Sequence, residues 1–127
     1  MITETLCLFF ALYFEARGEP IAGKIAVAEV IVNRVKSKKW PDSICEVVKQ
    51  YKQFSFYWDG KPEVIDYSEE QAITEIQYVV QLALDDELPG ITDGATHYHS
   101  TRILPQWTRK MKLSGIYGEH VFWVDKF

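Results

Sequence analysis

A carboxylate that follows an apolar helix is a candidate proton donor, and Glu15 is placed in that way. The run from Leu6 to Phe14 is apolar throughout, and the segment Glu15-Ala16-Arg17-Gly18-Glu19-Pro20 closes it. At the C-terminal end of a helix an acid meets the negative end of the macrodipole. Burial among aromatic rings also disfavours its charged form. A carboxyl kept neutral near pH 7 can protonate a leaving oxygen. The ordinary alternative is that Glu15 pairs with Arg17 or faces solvent at a fraying helix end.

Other residues offer competing chemistries. Glu19 follows Glu15 by four positions, but Gly18 and Pro20 break the helix that would set the two carboxylates side by side, which weakens a two-carboxylate hydrolase. His97 and His99 share one face of a strand by their spacing, and with His120 they are enough ligands for a zinc-dependent amidase or peptidase. That reading competes with one in which each histidine bonds backbone or substrate without metal. Gln53, Phe54, Ser55, Phe56, Tyr57 and Trp58 alternate polar and aromatic side chains, as an edge strand or a loop along a ligand groove would. The sequence has no G-x-S-x-G elbow and no phosphate-binding glycine loop.

The elements that must position these groups are mostly helical. Leu6, Phe9, Phe10, Tyr13 and Phe14 recur at helical spacing, which predicts a helix over 3–15 with Thr3 as its N-cap. A second helix, 21–37, is apolar nearly all round and is therefore expected at the centre, with Asn33 and Arg34 bonding backbone or carboxylate partners at its end. A short third helix is expected over 43–49. Ser68 and Gln71 read as a capping box that opens a fourth helix to Leu84, with Ala72, Ile76, Val79, Val80 and Ala83 inward. Residues 95–99 and 120–124 read as short strands, paired as an antiparallel hairpin around a long loop that carries Leu104, Pro105 and Trp107.

Composition limits the function classes. A chain of 127 residues with 47% hydrophobic and 25% charged side chains is one globular domain with a single sizeable core. Its net charge is −4, spread as +2 over residues 1–58, −9 over 59–93 and +3 over 94–127. The acidic middle argues against a nucleic-acid partner and reads as a solvated helix face. The N-terminal apolar run is too short to span a bilayer, so no stable membrane insertion is expected. It also lacks the basic flank and cleavage site of an export signal. Cys7 and Cys45 form no C-x-x-C pair; Cys7 fits a small buried hydrophobe, and a disulfide with Cys45 stays open.

Taken together, the segments Glu15-Ala16-Arg17-Gly18-Glu19-Pro20, Gly23–Ala28, Val32-Asn33-Arg34-Val35, Gln53-Phe54-Ser55, Asp93–Tyr98, Pro105 with Trp107, and His120-Val121-Phe122 resemble the SleB-type cell-wall hydrolase family, in family order. The resemblance implies an α+β, mainly α, lysozyme-like fold related to goose-type lysozymes and lytic transglycosylases, with a small antiparallel hairpin near the C-terminus. It implies a peptidoglycan substrate cut at the β-1,4 bond after N-acetylmuramic acid, by lytic transglycosylation or, alternatively, by hydrolysis. Glu15 maps onto the family's catalytic acid. By motif position, Gln53, Ser55, Tyr98 and His120 are expected to hydrogen-bond the sugars, and Phe54, Tyr98 and Trp107 to pack on their faces. No metal or cofactor is implied, and a monomer is expected. A compact chain without leader or wall-binding domain fits a bacteriophage endolysin, released from the host cytoplasm to the wall through a holin. Beside the zinc amidase, a non-catalytic glycan-binding module is the remaining alternative, and the intact Glu15 motif weighs against it.

Overall fold

The computed structural model describes residues 3–50 and 65–125. In chain order they form α1 (Glu4–Ala16), α2 (Ile21–Lys36), α3 (Ile44–Gln50), α4 (Glu70–Leu84), β1 (His97–Ser100), a 3-10 turn (Gln106–Lys110), β2 (Met111–Tyr117) and β3 (His120–Asp125). This is the mainly helical α+β architecture that the sequence implies.

Thr3 caps α1 by accepting from the Leu6 amide at 3.2 Å. The helix is rotated from its expected setting: Cys7, Leu8, Ala11, Leu12, Tyr13 and Ala16 are buried, and Leu6 is exposed. With apolar residues all round the run, side-chain spacing could not choose the inward face. α2 is central, packing against α1, α3, α4 and the sheet. It buries Ala26, Val27, Ala28, Val30 and Ile31, and three charged groups with them, Lys24, Glu29 and Arg34.

Each of those charges has a partner. Glu29 accepts from the amides of Gly90, Ile91 and Thr92 and from the Thr92 hydroxyl. Asn33 donates to the Ala95 carbonyl at 2.8 Å, and Arg34 to that of Thr96 at 2.7 Å. The segment leading into the sheet is thereby fixed to the central helix, in the backbone-bonding role expected of Asn33 and Arg34. A buried charge is tolerable only when hydrogen-bonded in this way.

Cys7 and Cys45 form a disulfide with Cα atoms 5.3 Å apart. It ties the first turn of α1 to the start of α3, where Glu4 also accepts from the Cys45 amide at 2.9 Å. Cys7 is buried, as expected, but cross-linked.

Two local expectations are corrected. Ser68 does not cap α4: its amide and hydroxyl both bond the Asp66 carboxylate, the N-cap position falls to Glu69, and Gln71 donates to Glu75 instead. An aspartate two residues before a serine offers a nearer acceptor than the helix amides. Ile73, rather than Ala72, joins Ile76, Val79 and Val80 inside.

The sheet has three strands in the order β1-β3-β2, all neighbours antiparallel. The two predicted strands do pair, His97 opposite Trp123 and Ser100 opposite His120. The tight hairpin, however, joins β3 to the unpredicted β2. A register shift between Leu113 and Gly115 interrupts the alternation of β2, which removes the period-2 signal that would have revealed it.

Candidate active site

The turn that ends α1 and the turn of the β2–β3 hairpin meet, and a cleft of about 480 Å³ opens between them. Glu15, Gly18, Glu19, Pro20, Ser100, Gly118, Glu119 and His120 line it. Glu15 occupies the last turn of α1, half-buried. Burial lifts its carboxyl from 4.5 to about 7. Arg17, the alternative partner, is engaged elsewhere: it donates to the Tyr13 hydroxyl at 2.8 Å and lies 3.7 Å from Glu69. A carboxyl so placed is partly protonated near neutrality and can give a proton to an oxygen in the cleft.

Glu19 fixes the opposite wall. Its carboxylate accepts from the Glu119 amide at 3.1 Å, and its backbone carbonyl accepts from Lys24 at 2.6 Å. Lys24 is itself buried and paired with Glu75 on α4 at 2.9 Å. The hairpin turn closes on Glu19 because Gly118 has no side chain. A Cβ there would sit 2.7 Å from Glu19 Oε2, and its φ of +63° is the one a two-residue hairpin turn draws from glycine. Sequence reasoning set Glu19 aside because Gly18 and Pro20 break the helix, yet the break itself folds Glu19 back to line the same cleft as Glu15. The i to i+4 spacing was the wrong signal; the glycine and proline around the glutamate were the useful one.

His120 reaches the cleft from the first position of β3. Its Nδ1 lies 3.1 Å from Glu19 Oε1, at ion-pair distance but without hydrogen-bond alignment. Burial lowers its pKa, against the opposing pull of Glu19 and Glu119, so the ring is neutral at pH 7. Tyr98 is buried directly behind it, edge-on to the His120 ring at 5.0 Å and stacked on Phe122 at 5.5 Å. Tyr98 therefore supports His120 from the core side.

Trp107 stands elsewhere. Strand pairing sends Tyr98, Ser100, His120 and Phe122 to the helix side of the sheet, and His97, His99 and Trp123 to the other. The connection from β1 to β2 passes over that outer side, and the Trp107 ring packs 5.2 Å from His97 and 5.7 Å from His99. The expectation that Trp107 shares a groove with Glu15 does not hold. The same register separates His97 and His99 from His120, so these three cannot converge on one zinc ion, and the described residues hold no cluster of metal-ligating side chains. Gln53, Phe54 and Ser55 lie outside the described residues.

This geometry can be set beside known proteins. Residues 18–123 match the family model described as Cell Wall Hydrolase, a span that begins three positions after Glu15. The spore cortex-lytic enzyme of Halalkalibacterium halodurans is 33% identical over 116 residues, which cover 88% of this chain and 32% of that protein. The spore cortex-lytic enzyme of Oceanobacillus iheyensis is 45% identical over 51 residues, 40% of this chain and 18% of that protein. The chain thus spans about a third or less of the length of these relatives. Among solved structures, the catalytic domain of the germination-specific lytic transglycosylase SleB from Bacillus anthracis superposes with a TM-score of 0.67. The alignment has 24% identity and covers 95% of this chain and 93% of that one. The SleB catalytic domain of Bacillus cereus gives the same TM-score at 23% identity, over 95% and 89% of the two chains. The family match takes in Gly18, Glu19 and the hairpin side of the cleft and runs from α2 into β3, and the fold agrees over 95% of the chain: the chain belongs to the cell wall hydrolase family.

Proposed function

We propose that this chain cleaves the glycan strands of peptidoglycan at the β-1,4 bond between N-acetylmuramic acid and N-acetylglucosamine, as a lytic transglycosylase with Glu15 as its single catalytic acid. The observation that carries the reading is a half-buried carboxyl, raised to about 7 by burial, in the cleft between the α1 turn and the hairpin. The relatives named for cortex lysis, and the neighbour named as a lytic transglycosylase, support it.

Protonated Glu15 gives its proton to the glycosidic oxygen as the C1–O bond breaks and an oxocarbenium-like centre forms. The Glu15 carboxylate then takes the proton of the muramic acid 6-hydroxyl, whose oxygen closes on C1 to leave a 1,6-anhydro end. The acid is thereby restored for the next turnover. His120, neutral and steadied by Tyr98 and Glu19, offers a ring nitrogen to a sugar hydroxyl or N-acetyl group. Gln53, Phe54 and Ser55 keep their proposed sugar-binding roles by motif position alone. Glu19 acts on the wall rather than on the bond, because its carboxylate is held by the Glu119 amide.

Mass spectrometry of digested peptidoglycan tests the reading. Anhydromuramic ends are expected; reducing ends would make the chain a hydrolytic muramidase, freed stem peptides an amidase, and no products a glycan-binding module. Running cortex-type and vegetative walls side by side separates a spore-cortex enzyme from the endolysin role proposed from sequence.

A further inference from the structure

The outer side of the sheet has a chemistry of its own. Leu113 pairs with Trp123 and Ile116 with Val121, which extends the face bearing His97 and His99 across all three strands. The connection 101–110 crosses this face from edge strand β1 to edge strand β2. It is held by the Thr101 amide on the Glu119 carbonyl and by the Trp107 ring against the two histidines. It exposes aliphatic side chains, Leu104 at 77% and Ile103 at 58%, and on the same side of the sheet Ile116 and Leu113 of β2 are 61% and 53% exposed. Large apolar side chains exposed together on one side of a sheet are what an interaction surface carries.

The charges on the crossing connection are all positive. Between Gly94 and Gly118 the sequence holds Arg102, Arg109, Lys110 and Lys112 and not one carboxylate. Arg102, Arg109 and Lys110 are exposed on the crossing connection itself. The nearest acids along the chain lie at its margins: exposed Asp93 shares a pocket with Lys112, Leu113 and Asp125, Glu119 lies in the hairpin turn, and Asp125 is paired with Lys39 at 3.3 Å. The acidic helix α4 packs on α1 and α2, on the helical side of the molecule.

We propose that this outer face docks on an anionic lipid bilayer, peripherally, with the Glu15 cleft on the opposite side of the sheet turned away from the lipid. Charge complementarity selects this occupant. Leu and Ile tips enter the boundary of the acyl chains, a tryptophan suits the interface, and arginine and lysine meet the phosphates. A second copy of the chain would oppose cations to cations. An anionic wall polymer would engage the cations but leave the aliphatic tips in water. The inference goes beyond the peptidoglycan reading and does not depend on it.

Flotation of the purified chain with equimolar phosphatidylglycerol–phosphatidylcholine vesicles, against pure phosphatidylcholine vesicles, is the test. The anionic vesicles are expected to bind at least about tenfold more tightly. The double substitutions Ile103→Ser with Leu104→Ser, and Arg102→Ser with Arg109→Ser, should each weaken that binding by about tenfold or more while leaving the melting temperature and circular dichroism unchanged. Absence of binding to the anionic vesicles overturns the proposal. So does unaltered vesicle binding by the aliphatic variant, which would leave a purely electrostatic site for an anionic polymer. A concentration-dependent dimer in light scattering, abolished by the aliphatic variant and unaccompanied by vesicle binding, would assign the face to a second copy instead.

Discussion

Glu19 Oε1 lies 3.1 Å from His120 Nδ1 and 3.1 Å from the Glu119 amide, so one carboxylate joins the turn after α1 to the start of β3. This side chain links the two walls of the cleft directly. Glu19→Ala is expected to lower turnover by at least about tenfold and to cost about 1.5–3 kcal/mol, the scale of a hydrogen bond to a charged group. Glu19→Gln keeps an acceptor for the Glu119 amide and should recover most of the activity. Steady-state kinetics and thermal melting on both variants check this. A glutamine variant as inactive as the alanine one would instead make Glu19 a reacting carboxylate.

Glu15→Gln should fold and lose at least about a hundredfold in turnover, the contribution of a general acid. Since the Glu15 carboxyl titrates at about 7, wild-type turnover on wall fragments should fall as pH rises through 7, when the proton to be donated is lost. Initial rates from pH 5 to 9 measure the limb. A rate that stays level to pH 9 would remove Glu15 as the donor.

The same carboxyl predicts a stability profile. Its folded pKa of about 7 exceeds the 4.5 of the free side chain, so between these values the native state binds more protons than the unfolded one. Stability should therefore fall as pH rises from about 4.5 to about 7 and be level on either side as far as Glu15 is concerned. At roughly 1.4 kcal/mol per pH unit over this interval, the full effect is about 3–3.5 kcal/mol. Glu15→Gln abolishes this dependence and should melt higher than wild type at pH 8, with the difference vanishing at pH 4. Calorimetry at the two pH values is sufficient.

Reduction of Cys7–Cys45 should destabilise the fold. The bridge spans 38 residues of chain, for which the chain-entropy account gives about 3–4 kcal/mol. A Cys7→Ser, Cys45→Ser double variant should melt lower by a similar margin and should not respond to dithiothreitol. Melting of both proteins with and without reductant reports it.

The first two helices were legible in the sequence because their signals meet no local competitor: Thr3 at one cap, Pro20 at one break, and the apolar surround of α2 at the centre; α4 was legible from its apolar spacing although Asp66 takes Ser68 from its cap. Glu15 was legible for the same reason, as a carboxylate at the end of an apolar helix. The sheet was half legible. β1 and β3 show strand composition, whereas β2 is disguised by its register shift at Ser114 and Gly115. The misplacing of Trp107 follows from that miss, since with only two strands the connection has no outer face to cross. Glu19 escaped because what places it is a long-range contact with the 118–120 turn, a hundred positions away, and local spacing carries nothing about such contacts.

Glu29, Asn33 and Arg34 bond the backbone of residues 90–96 from one side of a buried helix. Movement of the sheet relative to the helices would strand a buried carboxylate and a buried guanidinium together. The described walls of the cleft accordingly behave as one body rather than two jaws. A glycan strand entering between them meets a preformed slot, and its arrival should move the helix–sheet backbone by less than about 1 Å, as in pre-organised complexes. Selectivity among wall chemotypes is then a matter of which sugar and stem shapes fit a rigid opening, not of which can draw it closed.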